Sequence, residues 1–132
     1  MLTTKIFNYL QILILSFLIQ NGAYAITASD EEEIISVVNA QLQAFQDDDF
    51  EKAYSYASPT IKTIFSDYKK FRDMVVGQYQ AVYRPKSINI GSVSTEGGVP
   101  FLEVYLVDPD GIFVTAIYSM QQQENGLSLI HI

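Results

Sequence analysis

Two periods of hydrophobic residues divide the chain into a helical half and a strand half. Apolar side chains first recur at spacings of four, four and three residues, which is the stripe of an amphipathic helix: Ile34, Val38, Leu42 and Phe45. From Ser87 onward they recur at every second position, which is the period of a strand. This order predicts an α+β domain, with helices over about residues 30–84 packed on one face of a curved antiparallel sheet of three to four strands over about residues 87–132.

Polar residues mark the ends of the predicted helices. The acidic run Ser29–Glu33 places N-cap candidates and negative charge at the start of the first helix. Asp47–Asp49 ends that helix and caps the second, Ser58-Pro59 begins a third with Pro in its first turn, and Ser66-Asp67 caps a fourth. Arg84-Pro85 closes the helical half, because Pro forces the preceding residue into extended geometry.

Turn residues separate the predicted strands. A first strand ends at Glu96-Gly97-Gly98, and Asp108-Pro109-Asp110-Gly111 joins a second strand, Val99–Val107, to a third, Ile112–Gln122. A second tight turn at Glu124-Asn125-Gly126 leads into Leu127–Ile132. The strands therefore form a meander of consecutive antiparallel neighbours.

Alternation along these strands assigns the two faces of the sheet. The face predicted to meet the helices is apolar throughout: Leu102, Val104, Leu106, Val114, Ala116 and Tyr118. The opposite face is mixed: Phe101, Glu103, Tyr105, Phe113, Thr115 and Ile117. A half-apolar outer face is a candidate interaction surface, so we expect a homodimer formed through Phe101, Tyr105, Phe113 and Ile117.

The first 25 residues have the pattern of a cleavable export signal. Lys5 precedes an apolar run from Ile12 to Ile19, and small residues at 23 and 25 predict cleavage after Ala25. The alternative is an uncleaved anchor, but polar residues interrupt the run, which is shorter than the ~20 residues of a spanning helix. We therefore expect a periplasmic or secreted protein with one domain, residues 26–132, and no stable membrane anchor.

The composition of the chain limits the kinds of partner and site that we expect. The net charge of -7 becomes -8 once Lys5 is removed, since all 15 acidic residues remain, and such a domain repels nucleic acid. The chain has no Cys and one His, so thiolate chemistry and zinc sites are not expected, and we predict no cofactor and no metal. Asp47–Asp49 with Glu51 resembles a cation loop only superficially, because Phe50 interrupts it, and helix capping explains these acids better.

A pocket between sheet and helices is the remaining candidate for function. Tyrosines combine an apolar ring with a polar tip, and the residues predicted to line such a pocket are Tyr54, Tyr79, Tyr83, Arg84 and Tyr118. The alternative is that they are ordinary core aromatics. The sequence thus predicts a non-catalytic domain that binds a small amphipathic ligand or a protein partner. A second hypothesis is an acid-base enzyme of the ketosteroid-isomerase or dehydratase type, with Glu103, Asp67 or Asp73 as its carboxylate.

Several of these motifs together resemble a known family. The motif residues are Gln41, Ala44-Phe45, Asp48-Asp49, Ala53-Tyr54, Ala57-Ser58-Pro59, Ile61, Phe71, Met74-Val75, Tyr79, Val82-Tyr83-Arg84-Pro85 and Asp110-Gly111. In this spacing they are similar to the domain of unknown function 4864 family. The resemblance implies an exported bacterial protein with a cone-shaped fold similar to the nuclear transport factor 2-like, or cystatin-like, superfamily, and it implies no established activity.

The last six residues depart from what the resemblance implies, which is a Trp-containing final strand after Gly126. Leu127–Ile132 reads as the translation of a transposase adaptor, so we interpret it as sequencing read-through that replaces the true last strand. The alternative is a genuine terminus, because the hexapeptide also alternates acceptably as a strand. Under the first interpretation His131 carries no function.

Overall fold

The computed structural model describes residues 26–123 and 128–131, and it has the predicted α+β architecture. In the described part five helices come first: α1 Ala28–Gln46, α2 Phe50–Ser55, α3 Pro59–Ile64, α4 Tyr68–Gln78 and α5 Gln80–Tyr83. Four strands follow: β1 Ser87–Glu96, β2 Val99–Val107, β3 Phe113–Gln122 and β4 Ser128–His131. The export signal 1–25, its cleavage after Ala25 and the turn at 124–126 are predictions that lie outside the described residues.

The helix starts follow the predicted caps, with one correction. Asp49, Ser58 and Asp67 each accept a hydrogen bond from a backbone N–H in the first turn of α2, α3 and α4, as predicted. However, α1 begins before the acidic run, because Thr27 is its N-cap and forms a reciprocal capping box with Asp30. The Thr27 hydroxyl accepts from the Asp30 N–H at 3.1 Å and the Asp30 carboxylate accepts from the Thr27 N–H at 2.9 Å, so the first turn is capped two residues before Ser29.

The sheet is an antiparallel meander in the order β1-β2-β3-β4. The register pairs Ile88 with Leu106 and Leu106 with Val114, so apolar residues of neighbouring strands share a face. The pairing of β1 with β2 shifts between Ile90 and Val93, which is a β-bulge. β4 pairs with β3 from Ser119–His131 to Gln122–Ser128. Both origins considered for the last six residues allow such a strand, so the read-through hypothesis stays a prediction.

One hydrophobic core lies between the helices and the inner face of the sheet. The predicted inner residues Leu102, Val104, Leu106, Ala116 and Tyr118 are buried there, and Val114 packs against them. The stripe of α1 covers this face: Ile34, Val38, Leu42 and Phe45. Phe71 of α4 contacts the rings of Phe45, Tyr54 and Phe65 at centroid distances of 5.5–6.1 Å, which joins the short helices to α1. Among the described residues, no helix combines the length and apolar character required to span a bilayer.

Candidate functional site

The five predicted pocket residues occupy two different environments. Tyr118 and Tyr79 lie in the core, and Tyr118 is fully buried. Burial raises the pKa of the Tyr79 hydroxyl to about 12 and also raises the pKa of the Tyr118 hydroxyl. Within the described part of the chain, the Tyr118 hydroxyl has no hydrogen-bond partner. Besides the Tyr118 hydroxyl, the side-chain oxygens of Gln41 and Gln121 are buried without a hydrogen-bond partner among the described residues.

Tyr54, Tyr83 and Arg84 lie in the helical layer, and their polar groups bind backbone or side-chain atoms there. The Tyr54 hydroxyl donates to the Phe65 carbonyl at the end of α3. Tyr83 and Arg84 are adjacent at the end of α5, and the guanidinium carbon of Arg84 lies 4.2 Å from the centroid of the Tyr83 ring. The structure thus brings Tyr83 and Arg84 together and uses all three residues to join helices. That the five residues line one pocket stays a prediction.

Tyr83 and Arg84 form a polar clasp with Asp48, the middle of the three residues between α1 and α2. The Tyr83 hydroxyl and Arg84 Nη2 donate to the same Asp48 Oδ1 at 2.6 and 2.8 Å. Arg84 Nη1 donates to the carbonyls of Phe45 and Gln46 at 2.8 and 3.2 Å. These carbonyls end α1, where a cation is favoured by the helix dipole. We call Asp48, Tyr83 and Arg84 the clasp, and it holds the end of α1 against the end of α5.

The clasp shifts the acidity of its own members. The hydrogen bond from Tyr83, helped by the nearby Arg84 charge, lowers the pKa of the Asp48 carboxyl below its ordinary value. The same hydrogen bond raises the pKa of the Tyr83 hydroxyl. Asp48 also has a left-handed backbone, with φ of 56°, which Asp tolerates better than most residues. These contacts place Asp48, Tyr83 and Arg84 at the junction of two helix ends, which the clasp holds together.

The three carboxylates considered for acid-base chemistry all have surface positions. Asp67 caps α4, and Asp73 pairs with the adjacent Arg72 on the exposed side of that helix. Glu103 lies on the outer face of the sheet and accepts a hydrogen bond from Tyr105 at 2.7 Å. Across residues 26–123, no Asp or Glu side chain is buried in the core.

The sheet face away from the helices, here called the outer face, presents three rows of side chains across β1, β2 and β3. The tip row is Ser87, Val107 and Phe113. The middle row is Asn89, Tyr105 and Thr115. The bulge row is Gly91, Glu103 and Ile117, and Phe101 lies beyond it. This arrangement agrees with the predicted outer residues and places all four dimer-face candidates on one surface.

Large apolar groups are concentrated on this surface. Phe113 is 86% exposed and Tyr105 is 46% exposed. Ile112, in the turn next to Phe113, is 59% exposed. The only other large hydrophobic residue exposed among those described is Ile64, on the helical layer. An exposed Phe beside an exposed Ile is unfavourable in water, so this end of the outer face is suited to contact another molecule.

The turn that carries Ile112 and Phe113 is held by internal hydrogen bonds. The Asp108 carboxylate accepts from the backbone N–H groups of Asp110 and Ile112 at 2.8 and 2.9 Å. Gly111 supplies the left-handed conformation, with φ of 86°. The predicted turn is therefore confirmed, and it presents Phe113 in a fixed position.

Sequence reasoning missed three parts of this geometry. Asp48 was assigned to capping alone, and no local signal connects it to Tyr83, which is 35 residues away. Ile112 was assigned to the third strand, whereas it belongs to the turn. Gly91 lies inside a strand pattern, which is a signal of a bulge, but the prediction from sequence contains no bulge there.

Comparison with known proteins gives a family and no activity. No curated protein and no solved structure matches the chain, so the likeness to the nuclear transport factor 2-like superfamily stays a prediction. A family model described as a domain of unknown function (DUF4864) matches residues 27–131, which includes the helical layer, the clasp and the sheet. The chain belongs to this family of domains of unknown function, DUF4864.

Proposed function

We propose that this protein is an exported, non-catalytic binding domain that acts as a homodimer through the outer face of its sheet. The observation that carries the proposal is the exposure of Phe113 and Tyr105 on the outer face and of Ile112 in the turn beside it, all outside the core that the helices cover. Burying such side chains in an interface lowers the free energy by about 25 cal/mol for each Å² of apolar surface removed from water.

A second copy fits this face better than a charged partner. The three rows contain a single charged residue, Glu103, and Tyr105 already donates to its carboxylate. A nucleic acid or a basic peptide needs more charge than this to be recognised. Apolar patches with few charges are typical of homodimer interfaces, in which each copy contributes the same surface.

The test is analytical ultracentrifugation of the exported protein over a range of concentrations. We expect a concentration-dependent dimer, and we expect Phe113→Ser to weaken it by roughly tenfold or more, because buried aromatic residues dominate interface energetics. Ile64→Ser is the matched control, since Ile64 is an exposed apolar residue on the opposite, helical layer. A monomer at every concentration, or equal effects of the two substitutions, would overturn the proposal.

Export rests on residues 1–25 alone. Lys5, the apolar run and Ala23-Tyr24-Ala25 support a signal that is removed after Ala25. N-terminal sequencing of the protein recovered from the periplasmic or secreted fraction should begin at Ile26. Retention of residue 1 in a membrane fraction would contradict the proposed localisation.

One observation favours a second candidate function, the binding of a small amphipathic ligand in the interior. The fully buried Tyr118 hydroxyl has no partner within the described residues, and a ligand oxygen or nitrogen could bind it. Native mass spectrometry of the exported protein should then show an added small mass, which Tyr118→Phe reduces. If only the unmodified monomer and dimer masses are found, the interior ligand is contradicted and the dimer is unaffected.

The acid-base enzyme is the third hypothesis, and it has less support. Such chemistry requires a carboxylate in the pocket with a raised pKa. The candidates Glu103, Asp67 and Asp73 all lie at the surface. The test is isomerase or dehydratase turnover of the protein. Turnover that is lost in Glu103→Gln, Asp67→Asn or Asp73→Asn would support this hypothesis.

A further inference from the structure

The outer face is asymmetric along the strands, and this asymmetry limits how two copies can meet. Phe113 lies in the tip row, Tyr105 in the middle row, and Ile117 with Glu103 in the bulge row. In a face-to-face pair of aligned sheets, a two-fold axis in the plane of the interface runs close to the strand direction or close to its perpendicular. The two choices put different rows in contact.

An axis along β2 would bring each row onto the same row of the second copy. Glu103 would then face the partner's Glu103, and two carboxylates of like charge would be desolvated together. Phe113 on β3 would face the partner's Ser87 on β1, so the most exposed ring would meet a hydroxyl group. In this arrangement Glu103 meets a residue of like charge, and Phe113 meets a polar residue instead of an apolar one.

We infer that the two-fold axis runs across the strands, through the middle row of Asn89, Tyr105 and Thr115. This inference rests on the proposed homodimer and specifies its geometry. The tip row of one copy then lies on the bulge row of the other, so Phe113 packs on the partner's Ile117. Phe101, one row further on, lies over the turn that carries the partner's exposed Ile112.

The same axis separates the two Glu103 carboxylates. Each faces the partner's Val107, and the two residues lie two rows apart, or about 13 Å at the rise of an antiparallel strand. At that separation their direct repulsion is much weaker than it is for two carboxylates facing each other, because it falls with distance. The hydrogen bond from Tyr105 also remains within each copy, which keeps the carboxylate satisfied.

Cysteine cross-linking tests the axis directly, because the chain contains no Cys. Stacked sheets lie about 10 Å apart, beyond the Cα separation of a disulfide, so a short bis-maleimide reagent is used. Thr115→Cys tests the proposed axis, because Thr115 faces the partner's Thr115 only if the axis crosses the strands. Val107→Cys is the matched control on the same face, because Val107 faces the partner's Val107 only if the axis follows β2.

We expect Thr115→Cys to form the cross-linked dimer roughly tenfold faster than Val107→Cys, because the rate follows the effective concentration of the paired thiols. Faster reaction of Val107→Cys would overturn the inferred axis, whereas the proposed homodimer would still be supported. If both variants sediment as dimers and neither cross-links, the axis is wrong. If wild-type protein is monomeric, the proposed homodimer itself fails.

Discussion

Gly91 shows how a single residue shapes the outer face. A Cβ at this position would lie 2.6 Å from the Glu103 carbonyl oxygen and 2.9 Å from Tyr105 Cε2. Because both distances are below van der Waals contact, only Gly permits the bulge in β1 and the close approach of the Tyr105 ring. The Tyr105 hydroxyl in turn donates a hydrogen bond to the Glu103 carboxylate. Gly91 therefore helps to set the orientation of the Tyr105 and Glu103 side chains.

Gly91→Ala should therefore destabilise the fold by about 1–3 kcal/mol, the usual cost of overpacking. Gly77→Ala is the control, because Gly77 lies in α4 with nothing within 4 Å of its added Cβ. Ala is the better helix former, so this second change should stabilise by about 1 kcal/mol. Urea unfolding of both variants measures the difference. Opposite signs support the close approach at Gly91, and equal effects would contradict it.

Tyr118 offers a second comparison between single residues. Its ring fills the core, but its hydroxyl has no hydrogen-bond partner within the described part of the chain. Tyr118→Phe keeps the ring and removes a desolvated polar group, so stability should stay equal or rise by up to about 1 kcal/mol. Thermal unfolding measures the change. A loss of more than about 1 kcal/mol would show that the hydroxyl is bonded in solution, for example to a bound water.

The clasp acts on whole elements, since it joins the end of α1 to the end of α5. Arg84→Lys retains the charge but cannot reach Asp48 and two carbonyls at once, because Lys lacks the planar fork of donors. We expect a loss of about 1–2 kcal/mol in the free energy of unfolding. Arg72→Lys is the control, since Arg72 pairs with its exposed neighbour Asp73 at the surface, and it should change stability by less than about 0.5 kcal/mol.

The clasp should also respond to acid. The pKa of Asp48 is lowered in the folded protein, first by the Tyr83 hydrogen bond and then by Arg84. A lowered folded-state pKa stabilises the fold above the unfolded-state value, and this contribution is lost as pH falls through the folded-state value. Asp48→Asn lacks the titration and retains a residue suited to the left-handed backbone.

The free energy of unfolding of wild type relative to Asp48→Asn should therefore be constant near neutral pH. It should decrease between about pH 5 and about pH 2, the range in which a carboxyl with a lowered pKa titrates. Tyr83→Phe removes the largest cause of the shift, so its pH dependence should be weaker than that of wild type. Urea unfolding at a series of pH values measures this, and a pH-independent difference would contradict the role of Asp48.

At the scale of the whole molecule, the sequence predicted what depends on neighbouring residues. The helical stripe, the caps at Asp49, Ser58 and Asp67, and the alternation of β2 and β3 all follow from local spacing. The clasp could not be predicted this way, because its members lie 35 and 36 residues apart and meet only when α1 and α5 pack together. The outer face was predictable as a set of residues, but its three rows depend on the register and on the bulge at Gly91.

The net charge of the molecule supplies a last prediction for the homodimer. Each copy carries a formal charge of -7, or -8 after export, so two copies repel each other at low ionic strength. Salt screens this repulsion and also favours burial of apolar surface, whereas it weakens an interface held by ion pairs. The dimer proposed here has an apolar contact at Phe113 and no ion pair across its axis, so added salt should tighten it.

Sedimentation equilibrium between about 0.05 M and about 0.5 M NaCl, across which the Debye length falls by about threefold, measures this dependence. The dissociation constant of wild type should fall as salt rises, and that of Glu103→Gln should fall less, because each copy then carries one charge fewer. Phe113→Ser should remain largely monomeric throughout, since screening cannot replace the apolar contact. A dissociation constant that rises with salt would mean that opposite charges hold the copies together, and the surface joining them would then include the basic side of α4, where Lys69 and Lys70 are exposed, instead of the outer face alone.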